Sequence, residues 1–149
     1  MSWKKQIVYL AAGLSLVTFG AACSKKGPTT GGEVKTETTA ALKTIHFDFD
    51  KYNIRSDAAG ILQQNASWLK ANPNVNVIVE GNCDERGTNE YNMALGERRA
   101  NAGKDYLTNL GVTGSRISTV SYGEERPVCQ EHTEECWAQN RRDDFVVRK

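Results

Sequence analysis

The chain has 149 residues, 39% of them hydrophobic, enough for one folded domain with additional segments. Its 19 Lys and Arg against 18 Asp and Glu give a formal net charge of +1. That balance offers no basis for nucleic-acid binding or for a polybasic membrane contact.

The additional segments are at the front. Lys4 and Lys5 precede the apolar run Ile7 to Phe19, and the small residues Gly20, Ala21 and Ala22 lead to Cys23. A charged head, a short apolar core and a small-residue region predict an export signal over residues 1–22. The run is shorter than the roughly 20 residues of a membrane span. Small residues followed by cysteine resemble a bacterial lipobox, which implies a mature chain starting at Cys23 with acyl chains attached there. Gly20 departs from the leucine usual in that motif, and the alternative is an ordinary cleaved signal with an incidental cysteine. Ser24 next to the cysteine implies sorting to the outer membrane by the same resemblance. From Ser24 to Ala41 the composition turns to Lys, Gly, Thr, Pro and Glu, too polar to fold alone. Residues 23–41 are therefore expected to be a lipidated, flexible tether. Its 18 residues after the cysteine reach at most about 60 Å and average about 24 Å as a coil.

Residues 42–149 carry the predicted fold. Leu42 to Asp50 alternates, with Ile45, Phe47 and Phe49 on one side and His46, Asp48 and Asp50 on the other, as a half-buried strand does. Ser56 is the expected N-cap of a helix whose stripe is Ala58, Ile61, Leu62, Ala66 and Leu69, stopped by Asn72-Pro73-Asn74. A strand over Val75 to Gly81 leads into a loop, Asn82 to Thr88. A long helix follows, Asn89 to Leu110, ended by Gly111. Strands are expected at Ile117 to Tyr122 and near Asp144 to Arg148. The predicted architecture is an α+β sandwich of βαβαββ order, a small mixed sheet with helices packed on one face.

Of the remaining cysteines, Cys129 and Cys136 stand seven apart, about 10 Å along a continuous helix and too far to bridge. Thr133 resembles an N-cap, so Cys136 is expected to be helical and Cys129 in the preceding loop, an arrangement that allows a disulfide in an exported protein. The alternative is a metal site, since His132 completes a Cys-x2-His-x3-Cys string without a fourth ligand. Cys83 reads as a small buried hydrophobe.

The long helix contains an anomaly. Tyr91, Leu95, Ala102, Tyr106 and Leu110 form its apolar stripe, with the tyrosines expected in the core, and Arg99 lies in the middle. A guanidinium keeps its proton, and burying it unpaired is costly, so an anion is expected at Arg99. Asp84 is the candidate. Asp50 at the end of the first strand, Asp84 and Arg86 in the loop, and Asn92 and Arg99 two turns apart on the helix would gather at one end of the sheet if the first two strands are neighbours. No Ser, Cys or His here has a base oriented by a third group, which argues against a nucleophilic enzyme. Arg99 beside two carboxylates would keep both ionised, against glycosidase chemistry. A binding site fits the set better.

These residues also carry a resemblance. Phe47-Asp48-Phe49-Asp50-Lys51-Tyr52, Glu80 to Thr88 with Glu90-Tyr91-Asn92, Leu95 to Ala102, Val120 to Gly123 and Asn140-Arg141-Arg142 closely resemble the lipid-anchored, peptidoglycan-associated branch of the OmpA C-terminal-like domain family. The resemblance covers essentially all of Leu42 to Lys149. It implies noncovalent binding of the diaminopimelate residue in the peptidoglycan stem peptide. Asp84 would accept hydrogen bonds from the ligand's ammonium and Arg99 would clamp its carboxylate. Asn92 and Arg86 would add polar contacts, and Phe49 and Asp50 would line the wall. Partners implied are peptidoglycan, TolB and other Tol-system proteins, with a role in envelope constriction at division. An envelope-stabilising lipoprotein without a Tol role is the alternative. Cys83 and the Cys129–Cys136 region depart from the family pattern, and neither is expected to touch the polar cluster.

Overall fold

A computed structural model describes residues 42–148 of the chain. The expected signal, the lipidation at Cys23 and the tether lie outside the described residues.

Four strands and three α-helices follow one another as β1 (Ile45–His46), α1 (Ser56–Ala71), β2 (Asn76–Asn82), α2 (Asn89–Asn109), β3 (Ile117–Gly123), α3 (Glu134–Asn140) and β4 (Arg142–Arg148), with a 3-10 turn at Gly114–Arg116. The sheet order is β1-β4-β2-β3. Strands β2 and β3 are parallel, joined through α2, while β4 runs antiparallel to both β2 and β1. The α+β sandwich read from the sequence is correct, with α3 inserted before the last strand.

Local chemistry explains most boundaries. The Thr88 side chain accepts a hydrogen bond from the Tyr91 N–H and opens α2. Gly111 adopts φ +93° where that helix stops. Helix α1 is capped one residue earlier than expected: Arg55 is the N-cap without a side-chain bond, and Ser56 is already helical. Arg116 donates to the carbonyls of Leu69, Asn72 and Val75 and so ties down the end of α1.

The main strand error is at the front. β1 is two residues long because the chain leaves the sheet after Phe47 and turns at Asp48–Lys51, where Asp50 takes φ +56°. Aspartate tolerates this left-handed conformation better than most residues. Asp50 and Phe49 therefore lie on a turn, and β4 separates β1 from β2. The first two strands are not neighbours.

One face of the sheet packs on α1 and α2. Ile45, Phe47, Val77, Val79, Ile117, Phe145 and Val147 form a single cluster with Ala58, Leu62, Leu69, Ala100 and Leu107. Asn65 docks α1 onto the start of β1 with paired bonds to the backbone of Lys43. Among the described residues no helix is long and apolar enough to cross a membrane.

Candidate functional site

The site is built where α2 comes closest to the sheet. A Cβ on Gly81 would lie 1.9 Å from the Gly96 carbonyl oxygen, and one on Gly96 would lie 2.2 Å from the Ser121 hydroxyl. Only glycines permit this approach. One turn beyond Gly96, Arg99 is driven into the interior with no exposed surface. The buried face of α2 is Asn92, Leu95, Gly96, Arg99, Ala100, Gly103 and Leu107. It is rotated from the expected stripe, so Tyr91 is 46% exposed and Tyr106 only half-buried.

Arg99 does not meet Asp84. Its Nε donates to the Lys51 carbonyl at 2.8 Å, Nη1 to Asn82 at 2.9 Å and Nη2 to Asp48 at 3.2 Å. Backbone carbonyls take the place of the expected anion, and the Phe47 ring lies 5.0 Å from the guanidinium carbon. One hydrogen on each terminal nitrogen remains for another acceptor. Burial pulls the Arg99 pKa down from its ordinary value, though a guanidinium stays charged at any physiological pH.

Asp84 is 4% exposed and is held by two other arginines. Arg86 donates to Oδ1 from its Nε and its backbone N–H, and to Oδ2 from Nη2 at 2.7 Å. Arg141 Nη1 reaches Oδ2 at 3.2 Å. Burial alone would push the Asp84 carboxyl up, but these hydrogen bonds outweigh it and hold the pKa below the usual range. Arg141 also donates to the Phe47 carbonyl and to Glu134, tying the first strand, the loop and α3 together. In the sequence Arg141 stands out only as part of Asn140-Arg141-Arg142, and nothing local identifies its partners.

Asn92, buried at 1% exposure, donates its amide to the carbonyls of Asp84 and Arg86 and to Glu124. It fastens the loop onto α2. Arg86 stacks between Phe49 at 3.9 Å and Trp137 at 4.2 Å. The Tyr91 hydroxyl donates to Asp50.

All six sequence-predicted site residues, Phe49, Asp50, Asp84, Arg86, Asn92 and Arg99, line one cavity of about 220 Å³, together with Cys83, Gly87, Tyr91 and Leu95. The expectation that Cys83 stands apart from the cluster is wrong. It lines the cavity, its buried thiol donates to the Asn92 carbonyl at 3.3 Å, and burial pushes its pKa up to about 11, so it is a neutral part of the wall.

Cys129 and Cys136 are bonded, with Cα atoms 5.2 Å apart. Thr133 caps α3, and Asn140 bonds the backbone of Val128 and Cys129. Both sulfurs are consumed in the bridge, while His132 pairs with Glu85, so the string does not present thiolates to a metal. This region also reaches the cluster after all, because α3 carries Trp137 against Arg86.

A residue missed in the sequence lies under the site. Asp143 of β4, opposite Gly81, is fully buried, and neither carboxyl oxygen has a hydrogen-bond partner among the described residues. Burial pushes its pKa well above the carboxylate range, against the pull of the Arg99 charge.

The OmpA family model matches residues 46–141. The chain is 46% identical over 139 residues to the peptidoglycan-associated lipoprotein of Pasteurella multocida, covering 91% of this chain and 93% of that protein. The crystal structure of the peptidoglycan-associated lipoprotein from Burkholderia pseudomallei is similar at TM-score 0.68 and 46% identity, over 70% of this chain and 89% of that one. The C-terminal domain of Helicobacter pylori MotB shares the fold at TM-score 0.68 with 20% identity, over 72% and 85% of the two chains.

Proposed function

The chain belongs to the OmpA family and, within it, to the peptidoglycan-associated lipoproteins, and from that premise we propose that it is a non-enzymatic tether between the outer membrane and the cell wall. Acyl chains on Cys23 hold it in the outer membrane, residues 24–41 bridge the gap, and the folded domain grips peptidoglycan in the periplasm. Two acyl chains anchor firmly, since each buried methylene contributes about 0.8 kcal/mol.

The observation that carries the binding reading is the single cavity joining a buried, ionised Asp84 to a buried Arg99 with two N–H groups in reserve. A zwitterion with ammonium and carboxylate on one carbon, as at the free end of diaminopimelate, complements it. Its carboxylate takes the two remaining Arg99 hydrogens. Its ammonium takes the place of the Arg86 side chain on Asp84, while Arg86 keeps its stacking between Phe49 and Trp137. Both charges leave water together and are paired on arrival, which limits the desolvation cost.

The test is co-sedimentation of the full chain with purified peptidoglycan. Asp84→Asn and Arg99→Lys are expected to lose binding while remaining folded by circular dichroism. Retention of wall binding in both overturns the site assignment. Release of soluble fragments from the wall would make the protein an enzyme instead. We also propose a Tol-system role with TolB as partner, linked to constriction at division. Co-purification with TolB supports it, and its absence leaves the envelope-stabilising alternative. Loss of fatty-acid labelling in Cys23→Ser tests the anchor.

A further inference from the structure

The described residues expose four large hydrophobic side chains; two of them, Phe49 at 52% and Tyr91 at 46%, line the site cavity, and a third, Tyr52 at 45%, is joined to Tyr91 through Arg98. Exposed rings cost free energy in water, and their concentration at one place marks a contact surface. Arg98 links two of them. Its guanidinium carbon is 5.7 Å from the Tyr52 ring centre and 5.9 Å from that of Tyr91. Among the described residues the Arg98 side chain has neither an ion-pair nor a hydrogen-bond partner. Tyr91, Arg98 and Tyr52 therefore form a shelf that starts at the cavity wall and runs outward over α2 and the turn after β1.

We propose that this shelf is a sugar subsite, taking an amino-sugar ring of the glycan that carries the stem peptide; it rests on the reading of the cavity as a stem-peptide site. The chemistry favours a sugar over further peptide. A pyranose presents a flat patch of C–H groups to an aromatic face and a fringe of hydroxyl and acetamido oxygens at its edge. The tyrosine faces match the first, and the five unengaged N–H donors of Arg98 match the second. Short stem residues offer little flat apolar surface. Continuity decides the location, because Tyr91 belongs to both cavity wall and shelf, so whatever leaves the cavity crosses it. Arg98 and Arg99, adjacent in sequence, point to opposite tasks because the helical rotation of 100° sends one inward and the other to the rim.

Titration calorimetry of the full chain tests this with two soluble probes: a disaccharide–tripeptide containing diaminopimelate, and the same tripeptide freed from its sugars. The disaccharide form is expected to bind about tenfold more tightly. Tyr52→Ala and Arg98→Ala are expected to remove most of that ratio and leave affinity for the free tripeptide unchanged, with Tyr52→Phe restoring it. If both probes bind the wild type equally, or if the variants weaken both probes alike, the sugar subsite is refuted while the stem-peptide site stands. If the wild type binds neither probe, both readings fall together.

Discussion

Replacing Arg99 tests how this domain tolerates a cation in its core. The side chain is completely buried and donates to three carbonyls. Truncation to alanine does not orphan all three equally, because the Asp48 oxygen also accepts the Lys51 N–H at 3.2 Å. The Lys51 and Asn82 oxygens lose a charged donor. At roughly 1–3 kcal/mol per buried unsatisfied group, and with the contact on Phe47 lost, Arg99→Ala should cost about 4 kcal/mol. Arg99→Lys keeps a charge but serves at most about two of the three carbonyls from a single nitrogen, and should cost about 2 kcal/mol. With a urea m-value near 1.5 kcal/mol/M for a domain of this size, the midpoints fall by about 2.7 M and 1.3 M. Hydrogen exchange supplies the second readout: the amide of Lys51 should lose protection in both variants, since Arg99 pins the turn that carries Phe49 and Asp50. A midpoint change below about 0.5 M for Arg99→Ala, or unchanged protection of that amide, would refute the assignment of Arg99 as the tie between α2, β2 and the turn.

Three further outcomes are expected. Asp143 is protonated in the fold to a higher pH than in the unfolded chain, so below pH of about 4 its burial carries no ionisation cost, and above it stability declines by up to about 1.4 kcal/mol per pH unit until the folded pKa is reached. Urea melts from pH 4 to 8 should therefore show Asp143→Asn gaining on the wild type as pH rises; a constant difference disproves the assignment. Gly96→Ala places a methyl 2.2 Å from the Ser121 hydroxyl and 2.9 Å from the Gly81 carbonyl, and should cost about 2–3 kcal/mol as α2 is forced off the sheet. Its thermal midpoint should fall by several degrees, and an unchanged midpoint would show that the contact relaxes freely. Reduction of Cys129–Cys136 should cost about 2–3 kcal/mol, visible as a lowered midpoint with dithiothreitol in the wild type and no response to it in the Cys129→Ser, Cys136→Ser double variant.

The local elements and the membership of the site are written into short stretches of sequence. Stops and periodicity act over a few residues, so α1 was legible from its apolar stripe and the Asn72-Pro73-Asn74 stop, α2 from its periodicity and Gly111, and β2 and β3 from their apolar runs, while Thr133 marked only a helical start before Cys136. The six residues that meet at the cavity were legible as polar anomalies and as motif positions. Which charge meets which depends on long-range packing. Arg99 is answered by carbonyls 17, 48 and 51 positions away, and Asp84 by Arg141, 57 positions away. A buried charge demands a partner, but that demand is met equally by a carboxylate, a carbonyl cage or a ligand. The choice follows from the order in which strands pair. Placing β4 between β1 and β2 brings Arg141 to Asp84 and sinks Asp143 beneath the site, and turning the chain at Asp50 delivers the carbonyls of Asp48 and Lys51 to Arg99. Strand order depends on contacts remote in sequence, and no local pattern encodes it.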